Sequence, residues 1–236
     1  MRTEWEDLAE WWQQELADDS GYAEEALPLL LDLLDPRPGN RYLDAGCGDG
    51  RVMRAVVETG ATVIGCDLNL ELLRLAKAEG PVVGCRLPNL DWIRPATFDG
   101  AYASLVVEHL VDLASFFAGL AEAVRFGGPL ALVVNHPLFT APESGPVVDP
   151  TDGEVFWRWG TYLEDGYTEE PAGAGRVTFY HRPLATLLNA AADAGWSLER
   201  TVERGVPTTT RDPLLASQGH IPRLLGVRWT RGEEDF

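Results

Sequence analysis

Gly46, Gly48 and Gly50, set within YLDAGCGDGR, stand beside Asp44 and Asp49, with Asp67 one strand further on. These are the residue types and spacings in this chain best suited to chemistry. An interior glycine costs about 0.5–1 kcal/mol relative to alanine. Three of them directly after an apolar run therefore call for a tight turn, a backbone that must approach a ligand, or both. A plain strand-to-helix turn is the simplest account of the loop alone. Asp67 changes that, because a carboxylate closing the next strand can accept both ribose hydroxyls through charge-assisted bonds. Loop and acid together read as an adenosine site, with all three glycines serving the ligand. A dinucleotide turn expects glycine where Arg51 stands, and Asp44 and Asp49 form a poor setting for a pyrophosphate. They suit a cation, and S-adenosylmethionine carries an ammonium and a sulfonium.

Proton transfer needs a titratable partner, and histidine is the usual one. His109 and His136 follow apolar runs that end at the same sheet edge as the loop, and His181 sits in FYHRP just before a helical stretch. His109 and His181 are the candidate bases, while His136 joins Trp157, Trp159, Tyr162 and Tyr180 as candidate walls of an apolar acceptor pocket. Each could equally be a capping or packing residue. Glu108 reads as a solvated or capping acid, and His220 carries no role. Cys47, Cys66 and Cys85 are nineteen residues apart without a CxxC pair, and read as small packing residues rather than metal ligands.

The elements that must position these residues follow from periodicity. Leu8, Trp11, Trp12 and Leu16 recur at helical spacing, a leucine-rich helix covers Ala26 to Leu34, and prolines follow. Strands and helices then alternate. RYLDA is a strand, Val52 to Glu58 a helix, TVIGCD a strand, and Asn69 to Glu79 a capped helix. VVG and FDGAYASLV are strands, Leu113 to Arg125 a helix, and LALVVN a strand. Such alternation implies a parallel sheet covered on both faces. Pro137 to Gly175 interrupts it with Pro, Gly, acids and aromatics, and reads as an ordered but irregular lid or pocket wall. A helix from Pro183 to Ala194 and strands at WSLERTV and LGVRWT follow.

Composition narrows the partners. The 236 residues can build one α/β core, and 45% of them are apolar. With 37 acidic residues against 19 basic, the net charge is −18, which disfavours a nucleic-acid substrate. Eleven of the acids lie between Met1 and Asp35, opposed only by Arg2. No apolar run reaches membrane-spanning length, and the acidic N-terminus is unlike a signal peptide. These features point to a cytoplasmic protein, and the preference for arginine over lysine points to a GC-rich bacterial genome.

YLDAGCGDGR, VIGCDLN and FDGAYASLVVEHL, taken in series, resemble the motifs of class I S-adenosylmethionine-dependent methyltransferases, nearest to the small-molecule branch with ubiquinone- and menaquinone-type enzymes. The resemblance spans about residues 40 to 136 and continues more loosely through YHRPLATLLNAAADAGWSLERTV. It implies that Asp44, Gly46, Cys47, Gly48 and Gly50 surround the methionine part of S-adenosylmethionine, and that Asp67 and Leu68 hold the ribose. Ser104 and Leu105 would line the cleft, with His109 at its mouth. Where relatives carry an acid for the adenine amino group, this chain has Cys85 and Arg86, leaving adenine to backbone near Leu87 or to Asp91. The expectation is one α/β domain, a doubly wound, mostly parallel, seven-stranded Rossmann-like methyltransferase sheet. It would comprise a helical lid (1–38), a cofactor core (39–136), a substrate cap (137–180) and a C-terminal part of the sheet (181–236). The expected activity is methylation of a small molecule without a metal. A protein substrate, less so RNA, or a non-catalytic binding role stay open.

Overall fold

In the computed structural model, which describes Trp5 and residues 8–18, 25–173, 175–205 and 213–232, the alternating pattern becomes a layered α/β fold. Helices α1 (Ala9–Asp18) and α2 (Leu27–Leu34) come first. The chain then runs through β1 (Arg41–Ala45), α3 (Arg51–Val57), β2 (Thr62–Asp67), α4 (Leu70–Ala76) and β3 (Val82–Gly84). β4 (Gly100–Ser104), α5 (Leu113–Ala123) and β5 (Pro129–Asn135) follow. Next come α6 (Pro137–Thr140), β6 (Gly145–Val148), β7 (Val155–Arg158), β8 (Gly166–Ala172) and β9 (Gly175–His181). The last elements are α7 (Leu184–Asp193), β10 (Trp196–Gly205), α8 (Pro213–Ala216) and β11 (Pro222–Arg231).

The main sheet has seven strands in the order β10-β11-β5-β4-β1-β2-β3. β1 to β5 are parallel, and β11 runs antiparallel to both β5 and β10. The strands are apolar nearly throughout because both faces are covered. Tyr42, Tyr102, Ala131 and Val133 pack on one face with Met53 of α3 and the α2 leucines. Leu43, Ala103 and Leu132 pack on the other with Phe116 and Phe117 of α5 and Leu187 of α7. The chain moves outward from β1 to β3 and returns on the other side of β1 as β4. That reversal opens a crevice between the carboxyl ends of β1 and β4.

Two expectations change here. The proposed lid over 1–38 divides: Leu29, Leu30, Leu33 and Leu34 of α2 are buried on the sheet, each contributing about 1.5–3 kcal/mol. A Cβ on Gly226 of β11 would lie 2.6 Å from Leu33 Cδ1, so that helix is a fixed layer and not a cover for the crevice. Residues 1–4, 6–7 and 19–24 of the expected lid fall outside the described residues. The 137–180 segment is not irregular. It holds α6 and two antiparallel hairpins, β6/β7 and β8/β9. These ribbons lack the continuous apolar run of a buried strand, since most of their residues keep at least partial exposure. Ala172 and Val177 are buried with Leu8, tying the second hairpin to the N-terminal segment.

Candidate active site

β1 ends in a backbone turn held by the neighbouring strand, with the amides of Gly46 and Cys47 both donating to the Cys66 carbonyl at 2.8 and 3.0 Å. Gly46 has φ +86°, and a Cβ there would come within 2.4 Å of Val106 Cγ2. The Asp67 carboxylate secures the loop, its Oδ2 accepting from Gly48 N at 2.9 Å and its Oδ1 from Asn69 N at 2.8 Å. An ionised carboxylate has about four lone-pair sites, so each oxygen can still accept from a ligand. Gly50 has a different reason to be glycine: its Cβ would meet Ala76 Cα at 2.8 Å, so it lets α3 close on α4. Asp49 is drawn aside by Arg51, Nε to Oδ2 at 2.9 Å, and is absent from the cavity wall.

A cavity of about 510 Å³ occupies the crevice. Of the expected cofactor residues, Gly46, Gly48, Asp67, Leu68, Leu87, Ser104 and Leu105 line it. Asp44, Cys47 and Gly50 lie behind this wall, and Cys47 is buried in the core. Exposed Asp91 is absent from the cavity wall. Leu105 adopts φ +55°, an uncommon conformation for a side chain larger than glycine. It turns the backbone out of β4 so that the short 3-10 turn Val107–His109 runs along the cavity.

Buried charge sets the electrostatics. Asp44 is 2% exposed, and burial pushes its pKa well up, with the Tyr102 hydroxyl pulling back and Asp67 pushing further. Burial also raises the Asp67 pKa, against the amides of Asn69, Gly48 and Leu68 that hold it down. Asp44 Oδ2 and Ser104 Oγ are buried with no hydrogen-bond partner among the described residues. Asp67 and the orphaned Ser104 hydroxyl on the cavity wall, with the Asp44 carboxyl buried behind it, make a setting that favours a cation bearing hydrogen-bond donors.

The candidate bases separate. His109 is on the cavity wall. Its Nδ1 lies 3.0 Å from the Thr178 carbonyl, which can only accept, so Nδ1 carries a proton and Nε2 is the basic nitrogen of the neutral ring. The ring packs between Trp5 and Phe179, each 4.7 Å away centroid to centroid. His181 is 1% exposed, donates from Nε2 to the Tyr162 carbonyl at 2.9 Å and lies away from the cavity.

Of the five acceptor-wall candidates, Tyr180 alone lines the cavity. His136 is buried, caps α6 by accepting from Leu138 N at 3.0 Å and meets Glu203 at 2.9 Å. Burial lowers its pKa against the pull of Glu203. Trp157 stacks on Phe139, Tyr162 OH accepts from Leu184 N, and Trp159 is 62% exposed. The hairpin carrying Trp157 folds against α6, which takes these rings away from the crevice.

Sequence reasoning missed several wall residues. Trp5 and Trp12 form part of the cavity wall, and the Trp5 carbonyl accepts from Asn69 Nδ2 at 2.7 Å. The density of tryptophans before residue 13 was a signal, but helical spacing made them look like core. Val106 and Thr178 carry no composition signal at all. Arg182 donates to the carbonyls of Leu110 and Val111, fixing the loop that follows His109.

Residues 43–132 match the family described as a methyltransferase domain. A solved S-adenosylmethionine dependent methyltransferase from Mesorhizobium loti is 32% identical, with a TM-score of 0.74, over 88% of this chain and 99% of that one. The chain belongs to the class I S-adenosylmethionine-dependent methyltransferases. This methyltransferase takes S-adenosylmethionine as its cofactor, and the glycine loop, Asp67 and the buried Asp44 fit that cationic nucleoside. Nocamycin O-methyltransferase of Saccharothrix syringae is 32% identical over 68% of this chain and 56% of its own length. A ubiquinone biosynthesis O-methyltransferase of Hahella chejuensis is 33% identical over 53% of this chain and 56% of its own. The methyltransferase thus spans little more than half the length of those two enzymes. No helix among the described residues is long and apolar enough to cross a membrane.

Proposed function

We propose that this methyltransferase acts on a small molecule and methylates a hydroxyl oxygen. The observation that carries the reading is one shared cavity, with the glycine loop and Asp67 in one part of its wall and His109, Tyr180 and Trp5 in another. Its volume, about 510 Å³, is in the range of small-molecule sites, roughly 300–1,000 Å³. The oxygen comes from the two named relatives, both O-methyltransferases.

Asp67, with Leu68, holds the ribose hydroxyls, using the lone pairs that Gly48 and Asn69 leave open. Gly46 and Gly48 let the backbone close on the methionine part, whose positive charge answers Asp44. Leu87 and its neighbours flank the adenine. Bound there, S-adenosylmethionine supplies an electrophilic methyl group. Trp5, Trp12 and Tyr180 exclude water and confine the acceptor, and orientation of this kind can account for about 7–11 kcal/mol of a barrier. His109 Nε2 accepts the proton of the acceptor hydroxyl, its tautomer fixed by the Thr178 carbonyl.

Incubation with methyl-labelled S-adenosylmethionine and a panel of phenols tests this reading. Label recovered as a phenyl methyl ether supports it. Label recovered only in protein or RNA from an added lysate contradicts it. His109→Ala is expected to lower kcat by about 10²–10⁴-fold with S-adenosylhomocysteine affinity unchanged. An unaltered kcat would remove His109 from the chemistry.

A further inference from the structure

Tyr180 also borders a second, smaller space, about 30 Å³, between β5, α6 and β9. One water needs about 10–15 Å³ of such volume, so the chamber has room for about two waters or for one small polar substituent such as a hydroxyl or amino group. Glu108, Asn135, Thr140 and Arg182 give its wall polar groups. Glu108 is 5% exposed, against the expectation of a solvated acid. Its Oε1 accepts from Asn135 Nδ2 at 2.8 Å and from Asn135 N at 3.3 Å. Its Oε2 is buried with no hydrogen-bond partner among the described residues. The Arg182 guanidinium lies on the same wall and attracts Glu108 electrostatically, but its hydrogen bonds go to the Leu110 and Val111 carbonyls and none reaches Oε2.

A buried carboxylate oxygen left unmatched is costly, and it is satisfied by a donor and not by another acceptor. The chamber shares the Tyr180 wall with the cofactor cavity, and Glu108 adjoins His109 in the chain. We infer that Glu108 and Tyr180 form an anchoring subsite for the methyl acceptor. The acceptor carries a second hydrogen-bond donor, a hydroxyl or an amino group, which passes Tyr180 and donates to Glu108 Oε2. The oxygen to be methylated meanwhile stays beside His109. The inference rests on the small-molecule reading above.

The test uses the full chain loaded with S-adenosylhomocysteine and titrated with catechol, which has two adjacent hydroxyls, and with veratrole, its dimethyl ether. In Glu108→Gln the two Asn135 N–H groups claim the amide oxygen, turning the amide nitrogen toward the chamber and reversing its polarity. Catechol is expected to bind the natural protein at least about tenfold more tightly than Glu108→Gln, as loss of a charge-assisted bond requires. Veratrole gains no such preference. Equal catechol affinity in the two proteins, or no catechol binding to the natural one, overturns the inference. If Glu108→Gln does not fold, a crystal structure of the natural protein with S-adenosylhomocysteine and catechol decides. A catechol hydroxyl on Glu108 Oε2 supports the subsite, and water alone there refutes it. Failure of the methyl-transfer reading looks different: catechol discriminates between the proteins, yet no methyl ether forms once S-adenosylmethionine replaces S-adenosylhomocysteine.

Discussion

Asp44 and Asp67 carry opposite obligations in the free and loaded protein. Burial raises the pKa of both, so each favours folding only at pH below the ordinary carboxylate range. That contribution is lost as pH rises through the folded-state value. Removing the charge relieves the free protein, and the gain in stability from Asp44→Asn is expected to be larger at pH 8 than at pH 5, read as Tm without cofactor. A gain that shrinks with rising pH contradicts the assignment. Asp67→Ala is expected to weaken S-adenosylhomocysteine by about 1.5–3 kcal/mol, roughly 10–150-fold, by calorimetry. A folded variant with unchanged affinity shows that the ribose lies elsewhere. Asp67 was legible in the sequence because its position at a strand end fixes both its direction and its neighbours. For Gly50 the sequence could not separate a glycine required by a ligand from one required by the backbone, and the structure adds a left-handed φ of +87° and the close approach of Ala76.

At the scale of elements, Asn69 joins two parts of the fold. Its side-chain oxygen caps α4 by accepting from Glu71 N and Leu72 N, while its Nδ2 donates to the Trp5 carbonyl. Asn69→Ala is expected to cost about 1–2 kcal/mol of stability and also to weaken S-adenosylhomocysteine. Asn69→Ser, which keeps a capping oxygen but is too short to reach Trp5, is expected to restore stability and not affinity. Recovery of both by serine means that the bond from Asn69 Nδ2 to Trp5 does not shape the cofactor cavity. The cap was readable from Asn69 and the apolar stripe behind it, as were the β1–β5 strands with their helices. The hairpins of 137–180 were not, because ribbons this exposed lack the apolar run that marks a buried strand. The division of the N-terminal segment was equally hidden. Trp12 and Leu30 both look like apolar helix residues, and only the folded chain sends one to the cavity and the other beneath the sheet.

For the whole molecule, the doubly wound architecture was legible because alternation of strands and helices restricts the topology to a few choices. The strand reversal between β1 and β4 then places the glycine loop and Ser104 on one crevice. What could not be read was which long-range contacts complete that crevice, since Thr178 and Tyr180 arrive from β9, far along the chain. The net charge of −18 is compatible with a cationic cofactor and a neutral acceptor, while a pyrophosphate would enter a cavity backed by two carboxylates. The most direct measurement is calorimetric titration of the purified chain with S-adenosylhomocysteine and, in parallel, NADH. Saturable binding of the first is expected, in the micromolar range (about −8 kcal/mol), and none of the second. Binding of NADH without S-adenosylhomocysteine would contradict it and make the glycine loop a dinucleotide turn.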